Sequence, residues 1–401
     1  MKSILRMRNT IQEYAWGSHT AIAELLGQPV PSDRPQAEMW VGAHPKAPSM
    51  VFKDGDWHPL NGLISTYTRE VLGEATTARF GGRLPYLFKV LAAARPLSIQ
   101  AHPSLKQARE GFARENREGI PLAAPDRNYR DDNHKPEIIC ALTPFWALCG
   151  FRSIDAMRSL FSTLGITGLE SELNYLKTYP GQRGRRQFLE SVMSLEGERK
   201  THVTASAVKN ALPHLEKDPV FRWIVDLNDA YPGDIGILAP LMLNLICLKP
   251  RQAMFLGAGE LHAYLEGTGI ELMANSDNVL RGGLTPKHID VPELLNVLTF
   301  ETRRLSILEP QRISETEDIY PSGAREFVLS GISLTPGDIH HSGQTRSIEM
   351  LLCVDGEVTL AGGADETSVC VQKGTSVLVP AAAAPYIIKG NGELFKAAVP
   401  L

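Results

Sequence analysis

Short apolar segments, punctuated by glycine and proline, fill the N-terminal part of this chain. The spacing predicts short strands joined by loops at residues 38–41, 85–92, 97–99 and 137–142. Helical spacing interrupts them at 21–26 and 105–118, and Ser104 is a candidate N-cap for the second of these helices. We therefore predict a strand, a turn and a helix in succession around residue 100.

The pattern changes beyond Ser153, where apolar residues recur at helical spacing and β-branched runs are few. The first set of this kind is Met157, Leu160, Phe161 and Leu164. A helix break is predicted at Pro180-Gly181 and a new helix start at Asp218-Pro219. We expect four or five helices between residues 153 and 230.

Strand-like segments return at residues 253–256 and 261–265, and after about residue 300 they dominate the chain. The strands predicted there span residues 327–329, 347–354, 357–361, 367–372, 376–380, 385–389 and 394–398. Turns separate them at regular short intervals, as in a sandwich or barrel. We therefore predict a C-terminal jelly roll, and strands on both sides of the helical block permit two related barrels. The expected fold class is mainly β with a helical insertion.

Length and composition narrow the class of protein. The 401 residues favour two or three domains. Lys and Arg number 41 against 45 Asp and Glu, a net charge of -4 without a long block of one sign, which argues against a nucleic-acid partner. The five cysteines are odd in number and form no C-x-x-C, so neither a disulfide framework nor a thiolate zinc site is expected. A reducing environment fits this composition, and we expect a cytoplasmic protein.

Neither the N-terminus nor the most apolar stretch has the pattern of a secretion signal or a membrane-spanning segment. The N-terminus reaches Asn9 and Glu13 without the apolar core of a signal peptide. The most apolar stretch, residues 235–248, contains Pro240 and Asn244 and is shorter than the roughly 20 residues of a spanning helix. We expect this stretch to lie in a buried core and expect no membrane partner.

Two short motifs carry the most specific chemical signal. In Gln100-Ala101-His102-Pro103, and again in His134-Lys135-Pro136-Glu137, two side chains able to form a site lie two residues apart. Residues i and i+2 of a strand share a face, so Gln100 pairs with His102, and Lys135 with Glu137. The prolines bias the residues before them toward extended geometry. Both pairs are therefore candidates to bind one ligand.

His262 is the downstream candidate that completes a metal site. It follows a Gly-x-Gly turn and enters an alternating segment. Two imidazoles, a carboxylate and an amide oxygen suit Zn²⁺ with room for water, and would also accept Mn²⁺, Co²⁺ or Fe²⁺. Structural alternatives stay open, because a single histidine is more often a core or surface residue and a glutamine such as Gln100 more often satisfies backbone groups. Glu137 is harder to explain in this way, since an unpaired buried carboxylate is costly.

Two lysines are candidate proton carriers near a cation. Lys135 shares a predicted face with Glu137, and Lys89 lies in the apolar strand around Leu87 and Leu91, where a charge needs a partner or a function. A metal ion and burial both lower the pKa of a lysine, which would make one of the two a usable base. The alternative for Lys89 is a position on the solvent face of its strand.

The polar loop at residues 273–287 has paired glycines beside an arginine. Arg281 offers a planar fork for a phosphate or an enediolate, and Lys287 adds a second positive charge. The alternative is an ordinary turn with solvated cations.

Taken together, these motifs resemble those of the type I mannose-6-phosphate isomerases, zinc enzymes of the cupin superfamily, over nearly the full length. The matching segments are 14–18 (YAWGS), 38–45 (EMWVGAHP), 85–91 (PYLFKVL), 96–103 (PLSIQAHP), 133–137 (NHKPE) and 274–281 (ANSDNVLR). The resemblance implies one zinc ion per subunit. Its implied ligands are Gln100, His102, Glu137 and His262, with Arg281 as the catalytic residue. It further implies a substrate pocket lined or bordered by Trp16, Lys89, His134, Lys135, Asp277 and Lys287.

The resemblance also implies the domain organisation. Residues 1–152 and 231–305 would form the two parts of a catalytic cupin, and residues 153–230 the helical insertion between them. Residues 306–401 would form a C-terminal cupin without metal ligands, because alanines 381–384 stand where a metal-binding cupin would carry a histidine.

The activity implied is interconversion of mannose 6-phosphate and fructose 6-phosphate through a cis-enediolate. Lys135 or Lys89 would move the proton between C1 and C2, His134 is the candidate for ring opening, and Arg281 would stabilise the enediolate or hold the phosphate. Two alternatives stay open: an isomerase of another sugar or sugar phosphate, and a non-catalytic metal cupin that binds sugar. The expected partner is a small sugar phosphate, and the expected assembly is a monomer or weak homo-oligomer.

Overall fold

A computed structural model describes residues 1–303, 306–362 and 368–401 of the chain. Most of the regular structure is β. The strands of the described residues are β1 Leu5–Arg8, β2 Thr10–Gln12, β3 Glu38–Val41, β4 Met50–Lys53, β5 Asp56–Pro59, β6 Tyr86–Ala93, β7 Ile99–Ala101, β8 Glu137–Ala141, β9 Phe145–Phe151, β10 Leu243–Leu248, β11 Ala253–Leu256, β12 His262–Ala274, β13 Leu280–Gly283, β14 Gln311–Arg312, β15 Glu317–Tyr320, β16 Val328–Leu334, β17 Ile339–His341, β18 Glu349–Gly362, β19 Ser368–Gln372, β20 Ser376–Val379 and β21 Tyr386–Ala398.

The helices concentrate in the middle of the chain. Those of the described residues are α1 Ala21–Leu25, α2 Leu60–Thr66, α3 Thr68–Leu72, α4 Glu74–Phe80, α5 Leu105–Arg117, α6 Ile154–Leu164, α7 Glu170–Thr178, α8 Gln182–Met193, α9 Gly197–Ala211, α10 Pro219–Ala230, α11 Ala239–Met242 and α12 Val291–Val297. Two short 3₁₀ helices span Leu212–His214 and Ile235–Leu238. None of the helices described has the length and hydropathy of a membrane-spanning segment.

A ten-stranded sheet is built around β12. Its main path runs β10-β9-β12-β6-β3-β2, and β7, β8, β11 and β13 attach beside it. The 13-residue β12 pairs antiparallel with β6, β7, β8 and β9. Strands from both sides of the helical segment therefore meet on one central strand.

An eleven-stranded sheet holds the C-terminal strands. Its main path runs β14-β15-β16-β21-β18-β20-β1-β4-β5, with β17 and β19 attached to β21 and β18. The N-terminal strands β1, β4 and β5 thus belong to the C-terminal sheet, since β1 pairs with β20. The strand pattern does not predict this pairing, which joins segments at opposite ends of the sequence.

The helical segment agrees with its prediction. Five α-helices, α6 to α10, lie between residues 153 and 230. The Ser153 side chain caps α6 and the Asp218 side chain caps α10, each by accepting a backbone N–H. Upstream, Ser104 and Gln107 form a full capping box at the start of α5.

Other elements differ from the predictions in extent. The predicted strands 347–354 and 357–361 form the single strand β18, and 385–389 and 394–398 form β21. Residues 60–80, for which no element was predicted, form the short helices α2, α3 and α4. Residue 367, the first of another predicted strand, lies outside the described residues, as does residue 305 at a predicted domain boundary. The apolar stretch 235–248 is largely buried, and it combines a 3₁₀ turn, α11 and β10.

Candidate metal centre and cleft

Three buried side chains from distant parts of the sequence meet inside the ten-stranded sheet. Glu137 is the first residue of β8, His262 is the first residue of β12, and His102 follows the end of β7. Each is at most 1% exposed. Glu137 lies opposite Met273 of β12, the strand that also carries His262.

The side-chain atoms of this cluster face one another without satisfying one another. The distance from His262 Nε2 to Glu137 Oε1 is 3.1 Å, and that from His102 Nε2 to Glu137 Oε2 is 3.5 Å. Ligand atoms of all three residues lie within 4.8 Å of one another. Both Nε2 atoms and Glu137 Oε2 are buried without a hydrogen-bond partner, which is costly unless a cation binds them. The donor set therefore fits a metal ion such as Zn²⁺.

Backbone carbonyls fix the tautomer of both imidazoles. His102 Nδ1 lies 2.8 Å from the carbonyl oxygen of Asn278, and His262 Nδ1 lies 2.9 Å from that of Glu260. A carbonyl can only accept, so in each neutral ring Nδ1 carries the proton. Both Nε2 lone pairs are consequently available to a metal ion.

Electrostatics favour the ligating protonation states. Burial, and then the Lys135 ammonium, lower the pKa of His102 to about 4. Burial acts to raise the pKa of Glu137, but Lys135 and the imidazoles outweigh it and hold that pKa well below its ordinary value. At neutral pH the cluster therefore offers a carboxylate and an uncharged His102 imidazole.

Gln100 lies beside this centre. It is opposite His262 in the β7–β12 pairing and opposite Arg281 in the β7–β13 pairing. Directly paired residues of antiparallel strands project from the same face, so Arg281, Gln100 and His262 form a row across three strands.

A cavity of about 1000 Å³ opens above the row. Seven of the predicted site residues line it: Trp16, Lys89, Gln100, Lys135, Asp277, Arg281 and Lys287. Tyr264 also lines it and donates a hydrogen bond of 3.1 Å to Glu137 Oε1, which connects the cavity to the metal cluster.

Lys89 does not lie on a solvent face, and that alternative is wrong. Its side chain is 7% exposed, and its Nζ lies 2.8 Å from Glu271 Oε2 and 3.5 Å from Glu38 Oε2. Burial acts to lower the pKa of Lys89, but these two carboxylates outweigh burial and raise the pKa above its ordinary value. These contacts favour the ammonium form of Lys89, and its role as a base near the metal ion stays a prediction.

Lys135 is the lysine next to the metal ligands. Its Nζ lies 3.6 Å from Glu137 Oε2, and its side chain is 11% exposed at the cavity wall. The same-face pairing of Lys135 with Glu137 predicted from the sequence is thus present.

Three cations form one side of the cavity. Arg281, Lys287 and Arg130 all line it. Burial, followed by repulsion from Arg130, lowers the pKa of Arg281, and burial, then Arg281 and Arg130, lower the pKa of Lys287. Cations that repel one another at the edge of a cavity are suited to an anionic ligand.

Asp277 lines the cavity and is held by neighbouring protein groups. Its Oδ2 lies 2.6 Å from Lys46 Nζ, its Oδ1 lies 3.6 Å from His44 Nε2, and its N–H donates to Asp131 Oδ2 at 2.7 Å. Hydrogen bonding to His44 and Lys46 lowers the pKa of Asp277. Asp277, Lys46 and Arg130 also line a second cavity of about 810 Å³ behind the first, so they form part of the wall between the two.

The structure does not bring His134 into the cleft. Its Nε2 lies 2.8 Å from Oε1 of Glu326, which precedes β16 of the other sheet, and it is absent from the lining of the metal-side cavity. Successive extended residues point in opposite directions, so Lys135 faces the cleft while His134 faces away. The candidate role of His134 in ring opening therefore has no geometric support.

The lining residues that the sequence did not predict include Glu38, Lys46, Arg130, Tyr264 and Glu271. Tyr264 and Glu271 had a detectable signal. Tyr264 is two residues after His262 in an alternating segment, and Glu271 is a single charge within the apolar run 270–274. Arg130 carried no comparable signal, because its position depends on hydrogen bonds from its backbone N–H to Asn278 and from its guanidinium to Ala124.

A buried site of two imidazoles and a carboxylate, set in an antiparallel β fold below a cationic cleft, defines a metal-binding enzyme of the cupin type. Comparisons with known proteins agree. Residues 4–154 match the family model "Phosphomannose isomerase type I, catalytic domain", and residues 322–399 match "Mannose-6-phosphate isomerase, cupin domain". The mannose-6-phosphate isomerase of Escherichia coli K12 is 40% identical over 391 residues, covering 97% of this chain and 98% of that protein. The human mannose-6-phosphate isomerase is 33% identical, with 92% of each chain covered.

Solved structures give the same result. A zinc-bound mannose 6-phosphate isomerase has a TM-score of 0.92 and 40% identity, with both chains fully covered. A mutant of phosphomannose isomerase from Salmonella typhimurium has a TM-score of 0.93 and 39% identity over the same coverage. This chain belongs to the mannose-6-phosphate isomerase family. The predicted fold class, mainly β with a helical insertion and a cupin fold, is confirmed.

Proposed function

We propose that this chain is a zinc-dependent aldose-ketose isomerase that interconverts mannose 6-phosphate and fructose 6-phosphate. One observation carries the proposal: three mutually facing, unsatisfied ligand atoms of His102, Glu137 and His262 lie at a cleft whose edge carries Arg281 and Lys287. Its relatives are named mannose-6-phosphate isomerases, and one solved neighbour is titled as zinc bound.

His102, Glu137 and His262 would hold the metal, with Gln100 as a fourth ligand because of its place opposite His262. Bound Zn²⁺ would stabilise negative charge on the sugar oxygens. Arg281, in the same row as Gln100, is positioned to bind charge that develops on those oxygens or on the phosphate. Lys287 adds charge at the outer edge of the cleft, where a phosphate carrying about two negative charges would enter.

Lys135 is our candidate for carrying the proton between C1 and C2. Its nearly buried side chain reaches the cavity wall, and its Nζ lies close to the metal ligands. Lys89 is bound between Glu38 and Glu271, so it would donate hydrogen bonds to the substrate rather than accept a proton. Trp16 supplies an aromatic surface on the same cavity, and Asp277 would orient Lys46 at its edge.

We further propose the domain division expected above, with the catalytic barrel formed from residues 1–152 and 231–305. The pairing of β6 and β8 with β12 supports the joining of these two segments. Residues 153–230 form the helical insertion and residues 306–401 the second cupin. Strands β1, β4 and β5, which lie within residues 1–152, belong to the sheet of that second cupin.

A cytoplasmic location and a monomer or weak homo-oligomer are part of the same proposal, as is the absence of a nucleic-acid partner. The free state of all five cysteines supports a reducing environment. The near balance of 41 basic and 45 acidic residues supports the absence of a polyanion partner.

Chelation tests the metal requirement. Turnover of mannose 6-phosphate is measured before treatment with a chelator, after it, and again after Zn²⁺ is restored. We expect activity to be lost on chelation and recovered with Zn²⁺, because the ligand atoms have no other partner. Full activity after metal content has been shown to fall to zero would contradict the ligand assignment.

Substrate charge separates this function from isomerisation of an unphosphorylated sugar. Lys287→Ala should raise KM for mannose 6-phosphate by about tenfold or more, since a charged hydrogen bond contributes about 1.5–3 kcal/mol. Lys249→Ala, which removes an exposed lysine outside the cavity lining, is the matched control. Efficient turnover of free mannose, with no effect of Lys287→Ala, would instead favour an isomerase of another sugar.

A further inference from the structure

The connection between the helical insertion and the sheet runs beside the cavity that Arg281 and Lys287 line. It begins at Tyr231, directly after α10, and includes the 3₁₀ helix Ile235–Leu238. Tyr231 lines the cavity and donates a hydrogen bond of 2.7 Å to the carbonyl oxygen of Pro96. The connection therefore contacts the cleft, although the catalysis proposed above does not use it.

Asp234 is the residue of this connection that reaches the cationic edge of the cleft. Its half-buried side chain caps the 3₁₀ helix, because Oδ1 accepts a hydrogen bond of 2.7 Å from the Gly236 N–H. The other oxygen, Oδ2, accepts from the Thr285 N–H at 3.3 Å. Thr285 lines the cavity and lies two residues before Lys287. One carboxylate thus ties the start of the 3₁₀ helix to the loop that carries Lys287.

The loop at residues 284–287 adopts a conformation that needs support from its surroundings. Leu284 is fully buried and has a φ of 54°, in the left-handed region that bulky side chains rarely adopt. Such a conformation persists only where neighbouring contacts hold it. A Cβ atom on Gly236 would lie 3.0 Å from the Leu284 backbone nitrogen, so the connection packs directly against the loop.

The position of Lys287 follows from that of Thr285. The Lys287 N–H donates a hydrogen bond of 3.1 Å to Thr285 Oγ1, and both residues line the cavity. Asp234 does not itself line the cavity. Any influence of Asp234 on a ligand in the cleft therefore passes through the backbone of the loop.

We propose that Asp234 is a positioning residue for phosphate recognition, which holds the 284–287 loop so that Lys287 stands at the edge of the cleft. This role rests on the function proposed above, in which Lys287 binds the phosphate of the substrate. Asp234 should then affect the binding of the phosphate group and not the proton transfer beside the metal. A residue that only capped the 3₁₀ helix would affect stability alone.

Kinetics with mannose 6-phosphate separate the two roles of Asp234. Asp234→Ala should raise KM by about threefold to tenfold with little change in kcat, since it removes a hydrogen bond that supports binding of the phosphate. Asp234→Ser keeps an acceptor for the Gly236 N–H but has no second oxygen for Thr285. It should therefore retain most of the stability and still raise KM.

Asp218→Ala is the matched control. Asp218 caps α10 by accepting a hydrogen bond of 2.9 Å from the Val220 N–H, and it does not line the cavity. Its removal should lower the urea midpoint and leave KM unchanged. A wild-type KM in Asp234→Ser would overturn the positioning role, and this variant decides the question if Asp234→Ala does not fold.

A double-mutant cycle tests whether Asp234 acts through Lys287. In a Lys287→Ala background, Asp234→Ala should raise KM little further, because the group that it positions is already absent. If the two substitutions instead multiply in their effects on KM, Asp234 acts by another route and the positioning role is rejected.

Inorganic phosphate distinguishes failure of this role from failure of the proposed function, because its binding requires no turnover. We expect the Kd for phosphate, measured by calorimetry, to rise in both Asp234→Ser and Lys287→Ala. A Kd raised by Lys287→Ala alone would reject the role of Asp234 and leave the isomerase function intact. A wild-type protein that neither binds phosphate nor turns over mannose 6-phosphate would reject both.

Discussion

Asn278 connects the metal ligands to the loop that leads into Lys135. The residue is fully buried, and its carbonyl oxygen accepts the hydrogen bond that orients His102. Its Oδ1 accepts from the Arg130 N–H at 2.7 Å, and its Nδ2 donates to the carbonyls of Asp131 and Asn133 at 2.9 and 2.8 Å. The backbone of this residue thus orients a metal ligand, while its side chain holds the segment that carries Arg130.

Exchanging Asn278 for aspartate should disrupt this arrangement at nearly constant size. Asn278→Asp replaces a double donor by an acceptor facing two carbonyl oxygens, which leaves buried groups unpaired and should destabilise the fold by about 1–3 kcal/mol. We also expect Zn²⁺ affinity to fall by about tenfold or more, since the side chain no longer holds in place the backbone whose carbonyl oxygen orients His102. The urea midpoint and a competitive zinc titration measure the two effects. Asn174→Asp, on the exposed face of α7, should change neither, and equal effects in both variants would show that Asn278 has no special role.

Candidate metal ligands could be named from sequence because spacing in extended segments is a local property. Spacing made Gln100, His102 and Glu137 candidates, the family resemblance implied them as ligands together with His262, and the structure brings His102, Glu137 and His262 together. The state of Lys89 could not be predicted in this way, because it depends on Glu271 and Glu38 on neighbouring strands. Pairing between strands, which decides whether a buried lysine gains carboxylate partners, is not visible in a single segment.

At the scale of elements, strand ends were predicted wrongly at two glycine-containing segments, because the strands continue through these glycines. Residues 355–356 and 390–392 look like turns, yet β18 and β21 continue through them and Gly356 pairs with Gly392. A Cβ atom on Gly356 would collide with the carbonyl oxygen of Asn391, so glycine is needed there for close approach of two backbones. By contrast, helix starts were predicted well at Ser104 and Asp218, because capping is a local interaction.

The contact between His134 and Glu326 links the segment leading into β8 to the other sheet. Glu326→Ala should leave the His134 nitrogen without its partner, lowering stability by about 1–3 kcal/mol and slowing turnover through the neighbouring Lys135. Glu326→Gln retains an acceptor and should recover part of both losses. Urea midpoints and kcat for the three proteins measure the effects, and equal values for all three would exclude a contribution of this contact.

The same contact has a defined pH dependence. Burial acts to raise the pKa of Glu326, but His134 outweighs burial and holds the pKa below its ordinary value of 4.5. A carboxyl with a lowered folded-state pKa stabilises the protein above the unfolded value and loses that contribution as pH falls through the folded value. The difference in urea midpoint between wild type and Glu326→Ala should therefore be full at pH 7 and shrink below about pH 4.5. A difference independent of pH would rule out the charged form of Glu326 as its source.

At the scale of the whole molecule, the sequence indicates two β regions and a helical insertion but not how the regions share strands. The pairing of β1 with β20 joins residues near positions 5 and 378. Strand pairing over such a separation is decided by the packing of the complete chain. The alternating pattern of a short segment does not indicate which other strand it pairs with. The presence of N-terminal strands in the C-terminal sheet was therefore beyond the reach of pattern analysis.

Metal binding at this centre should raise the stability of the whole chain, because only the complete fold brings the ligands together. Its ligands at residues 102, 137 and 262 meet only in the folded protein, so Zn²⁺ binds the native state and stabilises it. At a free Zn²⁺ concentration about 100 times Kd, the expected gain is about 2.7 kcal/mol. Chelation should accordingly lower the melting temperature by several degrees, and restored Zn²⁺ should return it. Glu137→Gln is the matched control: it removes the buried charge and one ligand while keeping the side-chain shape, so its melting temperature should respond little to either treatment. A Glu137→Gln protein that is stabilised by Zn²⁺ as strongly as wild type would show that the ion binds elsewhere.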